Sequence, residues 1–520
     1  MYSLIQLKTL VSCGGDLARS LPPRRGFLLI PLILVSFAFL PQMQAQLPPE
    51  IPGNPDGGYP GLNTAEGSNA LNGPSPFTGA ANTAVGWEAL NFSSGAALNT
   101  GLGAGAGAII TGNFNTATGA GAQLLNLLGT RDTANGAFAL EQNLTATDNT
   151  AIGSSALFNN DLSAFGLANG NTAVGSSALA SNIDGDGNTA VGLATLLHNF
   201  FGFGNTAIGA LALLNNDSDA AGFANFNTAV GDGALLSNVD GAGNTAVGVG
   251  ALNENLVTFG LTAVGIDALF SNDAFGTGDA IHNTAVGTFS LAANLEARNN
   301  TAVGAEALLN NDGTGFGLAA NNTAVGWEAL EENIDAGGNT AVGSFALQNN
   351  DSSGAGSAVA NTAVGFLALQ DNVDGPFNNA VGAAALTFNF NGFGNNAVGE
   401  SALFFNTFAA ENTAIGDVAL VFNDFSLAGT ANNNVAVGGA TLFNNDGGSE
   451  NTVVGTGAGQ NIISGFNNTY VGDFVGTLAP DESNTIRIGD LSNGNGAGSL
   501  ACFIGGITSS LLAVPLLKLL

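Results

Sequence analysis

The sequence predicts an all-β fold, a parallel β-solenoid of the β-roll type with about 24 coils, and three observations point to it. One phrase, Asn-Thr-Ala-Val-Gly, recurs through most of the 520 residues. It recurs at fixed intervals: from Gly67 to Gly489 its glycine appears 24 times, separated by fifteen steps of 17 residues, six of 22, one of 19 and one of 16. Fixed periods of this size are the mark of stacked structural repeats. Third, such periods divide badly into helical turns, and a chain with 77 glycines and short apolar stretches such as "TAV" and "AL" suits brief strands between tight corners.

The elements follow in chain order. Residues 1–45 carry a basic segment ending in "PPRRG", the apolar run Phe27–Leu40 and then "PQMQAQ", which predicts a secretory signal peptide cleaved after Ala45. A retained membrane anchor is the alternative, for which the run is short. Cleavage removes Cys13 and leaves Cys502 alone, so no disulfide framework is expected. Residues 46–62, "QLPPEIPGNPDGGYPGL", read as a Pro/Gly-rich linker, residues 63–489 as the repeat domain and residues 490–520 as a short C-terminal tail, expected to be truncated.

Within the sixteen units from Gly153 to Gly438, Val or Ile precedes the glycine, Leu stands four residues after it and Asn seven after it. A second Asn stands four before it, except where Leu261 replaces it. Each unit then predicts a strand around "NTAV", a corner at Gly, a second strand around "ALxx" and a longer corner back to the next "NTAVG". Asn and Gly tolerate the positive φ that corners need, and stacked Asn amides can bond one another along the axis. Strand alternation is expected to point Val and Leu inward and the adjoining small residues (Ala156, Ala178, Thr195, Ala212) outward. An outer surface so small has two explanations, tight turn packing or close approach by another chain.

All six 22-residue units place their extra residues between the Asn seven after the glycine and the next "NTAVG", so every insert decorates one edge of a rod about 115 Å long. Each insert begins Asn-Asp, which makes Asp161, Asp217, Asp273, Asp312, Asp351 and Asp424 the expected contact edge. Short corners carry Asp at 184, 240, 335 and 374, and Phe recurs nearby, as in "HNFFGFGN" from His198.

The formal charge is −31; without residues 1–45 it is 38 acids against 4 bases, or −34. Such a chain is repelled by nucleic acid and by anionic lipid. No enzyme is expected, because His198 and His282 are the only histidines, both lie in corners, and the carboxylates repeat with the coil instead of forming one distinguished pair. A minority reading places calcium at "DGDGN", with Asp184 and Asp186 as ligands. Ice binding, suggested by the recurring Thr, is disfavoured by the face assignment, which turns that Thr inward with Val.

"NTAIG" and "NTAVG" followed by "xxAL" resemble the head repeats of YadA-like trimeric autotransporter adhesins, and more closely the long NTAVGxxAL arrays of bacterial and phage surface fibres, over residues 63–489. The resemblance implies a left-handed parallel β-roll, a homotrimer and a place on a bacterial outer surface. The adhesin head repeat is shorter than the one here. "NTIRIGD" and "ACFIGGI" resemble the junction that precedes an endosialidase-type self-cleaving chaperone, although no chaperone domain follows. The expected function is a secreted or cell-surface structural and adhesive fibre without cofactor or membrane span in the mature chain; the alternative is a calcium-binding or carbohydrate-processing module of the tail-spike kind.

Overall fold

The computed structural model describes residues 58–489, apart from residues 60, 73–77, 94 and 477–478. The expected signal peptide, the first part of the linker, both cysteines and the C-terminal tail lie outside the described residues. Among the described residues there are 29 strands and no helix.

One strand per coil, from β2 (Asn63–Glu66) and β3 (Thr83–Val85) to β28 (Thr469–Val471) and β29 (Ile486–Ile488), joins a single parallel ladder of 24 strands. Its register does not slip. Thr172 of β12 (Thr172–Val174) faces Thr189 across a 17-residue step and Thr150 of β10 (Thr150–Ile152) across a 22-residue step. The inserts therefore bulge out without disturbing the stack. A two-residue strand, β1 (Gly58–Tyr59), runs antiparallel to β2.

The strand faces are the reverse of the expected ones. Ala151, Ala173 and their counterparts are fully buried, whereas the following Val or Ile is half-buried or exposed, 41 % for Ile152 and 42 % for Val381. The cause is the Asn at the start of the phrase. Its side-chain Oδ1 accepts the backbone N–H of the Asn one coil later, as Asn171 does from Asn188 at 2.9 Å and Asn188 from Asn205 at 2.9 Å. Those amides must point inward, and the period of two then turns Ala inward and Thr and Val outward.

The expected second strand is also corrected. Among the described residues only four early coils carry it, as β5 (Ile109–Ile110), β7 (Leu125–Asn126), β9 (Gln142–Asn143) and β11 (Asn159–Asn160). In every coil of that sixteen-unit block the Leu four after the glycine has positive φ, for example 50° at Leu157 and 51° at Leu179. Ser155 and Ser177, two positions earlier, are also positive, and Ala156 and Ala178 between them are not. Alternation of right- and left-handed conformations does not swing side chains to opposite faces as a strand does, so Ala156, Ala178, Thr195 and Ala212 are buried beside Leu157, Leu179, Leu196 and Leu213. The outer surface of this half-coil is not the row of small residues the sequence suggested.

The ruler glycine is required twice over. Gly248 has φ of +144°, and a Cβ there would stand 2.1 Å from the carbonyl oxygen of Gly265 in the next coil. A second amide ladder runs through the Asn seven residues on: Asn199 Nδ2 donates to Asn182 Oδ1 at 3.0 Å and to the Gly202 carbonyl at 2.7 Å. The same pattern continues to Asn445, which donates to Asn423 Oδ1 at 2.8 Å. With a core of little more than Leu and Ala, these hydrogen bonds hold one coil to the next.

Candidate functional site

The six insert carboxylates sit where the sequence placed them along the chain, but they are not a contact edge. All six are fully buried. Asp217 accepts the N–H of Phe201 in the preceding coil at 2.6 Å and that of Gly222 in its own loop at 2.5 Å. Asp161 does the same with Thr145 and Gly166, at 2.7 and 2.8 Å, Asp273 with Val257 and Gly278, and Asp424 with Phe408 and Gly429. Asp312 holds the N–H of Glu296 and Asp351 that of Asp335. Each of the six Asp residues has φ of 54–58°, a left-handed conformation that Asp tolerates better than most residues. Burial pushes the carboxyls of Asp217, Asp273, Asp312, Asp351 and Asp424 above the ordinary range, against the pull of these backbone donors. The acids are clamps that fold each insert onto the coil before it.

Beside exposed Ser, Thr and Asp, most inserts offer large apolar side chains to solvent. Phe165 is 77 % exposed and Phe316 73 %, with Leu162, Leu167, Phe223, Phe275, Leu318, Phe425 and Leu427 also exposed. Phe or Leu thus projects from five of the six loops, on one edge. The Phe-rich corners partly pack on themselves: Phe203 meets Phe226 edge to face at 5.0 Å, and Phe388, Phe405 and Phe422 stack in a column at 5.4 and 5.6 Å. His282 packs edge-on against Phe259 at 5.5 Å, and His198 lies 6.5 Å from Phe200.

Asp184 and Asp186 do not converge on a common point with a third acid. Asp184 takes a hydrogen bond from the Ser163 hydroxyl, and Asp186 is exposed. The acids that do converge are Asp217, Asp219 and Asp240, each with a carboxylate oxygen within 4.8 Å of the others. Comparison of units explains the cluster. Ser163, Thr314 and Ser353 donate hydroxyls to Asp184, Asp335 and Asp374 of the following coil, and Asp219 occupies the same position opposite Asp240. A carboxylate stands where a hydroxyl donor belongs. Burial, then the charges of Asp219 and Asp217, raise the Asp240 carboxyl above its ordinary range. A shared proton or an oxygen-seeking cation such as calcium would relieve that repulsion. The substitution was readable by aligning the six inserts.

The sequence reading also missed Asp132, which replaces an Asn of the inner ladder. Its Oδ1 accepts the Asn149 N–H at 2.9 Å and its Oδ2 the amides of Asn126 and Asn143 at 3.1 and 3.0 Å. Burial nevertheless pushes its carboxyl up to about 7.

Comparison with protein-family models and with curated proteins finds no match. Among the described residues no helix is long and apolar enough to cross a membrane.

Proposed function

We propose that this chain is a secreted or cell-surface structural and adhesive fibre. The observation that carries the reading is the unslipped 24-strand ladder, from which five loops project Phe or Leu on the same edge. A rod built this way has length without needing a large core, and it repeats one weak apolar contact at fixed spacing. Many such contacts give avidity that no single loop has. The resemblance to trimeric surface fibres supports a homotrimer and a bacterial surface as its setting.

The test is a variant of the full chain with the extra residues of all six inserts deleted. Attachment to a target surface is expected to fall by about tenfold or more, with the far-ultraviolet β signal retained. Unchanged attachment would overturn the role given to this edge. The mass in solution, measured by sedimentation with and without a chelator, examines the assembly: three chains, indifferent to chelation, is the expected result. The Asp217, Asp219 and Asp240 cluster favours calcium binding as the second reading, and a mass or fold that collapses on chelation would put that reading first.

A further inference from the structure

The outward face of the ladder has no part in the adhesive reading, and its chemistry is unusual for this molecule. From β10 to β22 (Thr362–Val364), twelve consecutive ladder strands read Thr-Ala-Val or Thr-Ala-Ile. With Ala inward, each contributes one Thr and one Val or Ile to the surface, in a register that never slips. The result is a file of hydroxyls beside a file of methyls, repeating at about 4.8 Å along the rod and about 6.6 Å across it. No strand from β3 to β28 carries a charged residue, although the chain bears a net charge of −31. Among the described residues, none of the twelve Thr hydroxyls bonds to a protein group. They are left for water.

The same features argue against a protein occupant. Protein interfaces gather energy on aromatic and Arg anchors seated in pockets, and the twelve strands of this face carry neither. A surface that is uncharged, fixed in position by a hydrogen-bonded ladder, and periodic in two directions complements a partner that is itself periodic and made of hydrogen-bonding groups. Ordered water can bridge the hydroxyls at little cost in immobilisation, while the methyls give it nothing to compete with. Because the spacing is built in, binding orders no protein groups. We propose that the Thr/Val face of β10–β22 binds the surface of ice.

The probe is ice itself, grown slowly into a solution of the full chain. The fraction of protein taken into the ice and the gap between melting and freezing points are the readouts. The chain is expected to enter the ice and to open such a gap. Thr245→Lys with Thr284→Lys, two outward side chains in the middle of the face, is expected to lower the incorporated fraction by about tenfold or more with the β signal unchanged. Should that variant fold poorly, Thr245→Asn with Thr262→Asn serves instead, since Asn379 and Asn396 already occupy adjacent strands at this position and bond each other at 2.8 Å; the same loss is expected. Deleting the inserts should leave ice uptake intact, which separates this face from the adhesive edge. Rejection of the chain by growing ice overturns the proposal, as does undiminished uptake of a folded variant. An oligomer that falls to single chains in the Lys variant also overturns it, because the face would then be covered by a second copy.

Discussion

At Gly248 a single methyl group decides whether two coils can touch. Gly248→Ala must adopt a φ of +144° and push its Cβ into the Gly265 carbonyl, so a loss of about 3 kcal/mol or more is expected in denaturant unfolding. Asp132 gives a pH signature. Its carboxyl titrates near 7 in the folded chain and near 3.8 when unfolded, so the stability present below about pH 4 is lost as pH rises through 7. Asp132→Asn should therefore stabilise the chain at pH 8, by at most about 4 kcal/mol, and have little effect at pH 4. Thermal unfolding at the two pH values checks this. Asp219→Ser should likewise raise the melting temperature at pH 7 and not at pH 4, since it restores a hydroxyl donor to Asp240, whose folded carboxyl is held high by burial and by its acidic neighbours. If the cluster holds calcium instead, Asp219→Ser will erase a calcium-dependent stabilisation of the parent chain. Leu261 is the gap in the inner ladder: it accepts nothing from Asn283, while its own N–H still bonds Asn244 Oδ1 at 3.0 Å. Leu261→Asn is expected to gain about 1 kcal/mol and to slow hydrogen exchange at the Asn283 amide.

At the level of the element, the strand and its period were legible because the phrase repeats with every coil, yet its facing was not. Val is the larger apolar residue, and transfer energy alone would bury it; the structure buries Ala because the inward demand comes from an amide, Asn171 or Asn188, rather than from a hydrocarbon. The second half-coil misled for a related reason. "ALxx" looks like a strand, but Leu157 and its counterparts hold a positive φ, of which β propensity carries no trace. The inserts were located correctly and misread chemically. Asp-rich corners suggested a polar contact edge, whereas Asp217 is spent on the N–H groups of Phe201 and Gly222. Asp217→Ala should accordingly loosen its own loop, seen as faster exchange at the Phe201 and Gly222 amides, and leave the ladder register intact.

Taken as a whole, the chain shows what a repeating sequence can and cannot specify. Coil number was legible to within the count of glycines, because each ladder strand is tied to one of them. The two surfaces proposed to be functional were harder to read, since both depend on which way a side chain turns: the insert edge on Phe165 and Phe316, the ladder face on Thr and Val. Contacts are made almost entirely between adjacent coils, so stability accumulates by nearest-neighbour terms and unfolding need not be all-or-none. Lesions such as Gly248→Ala should split the melting curve into two transitions, with the half bearing the lesion melting first.

The small strand β1 has a consequence for assembly. A stack of parallel strands ends, in principle, in a row of free backbone groups that can recruit the end of another stack. At the N-terminal end Tyr59 and Gly58 fold back against Asn63 and Thr64 in the opposite direction. An incoming rod, presenting a strand of parallel sense, finds that row already taken. At this terminus the edge of the first coil is occupied by the chain's own backbone, so a strand of parallel sense cannot add directly to Asn63 and Thr64.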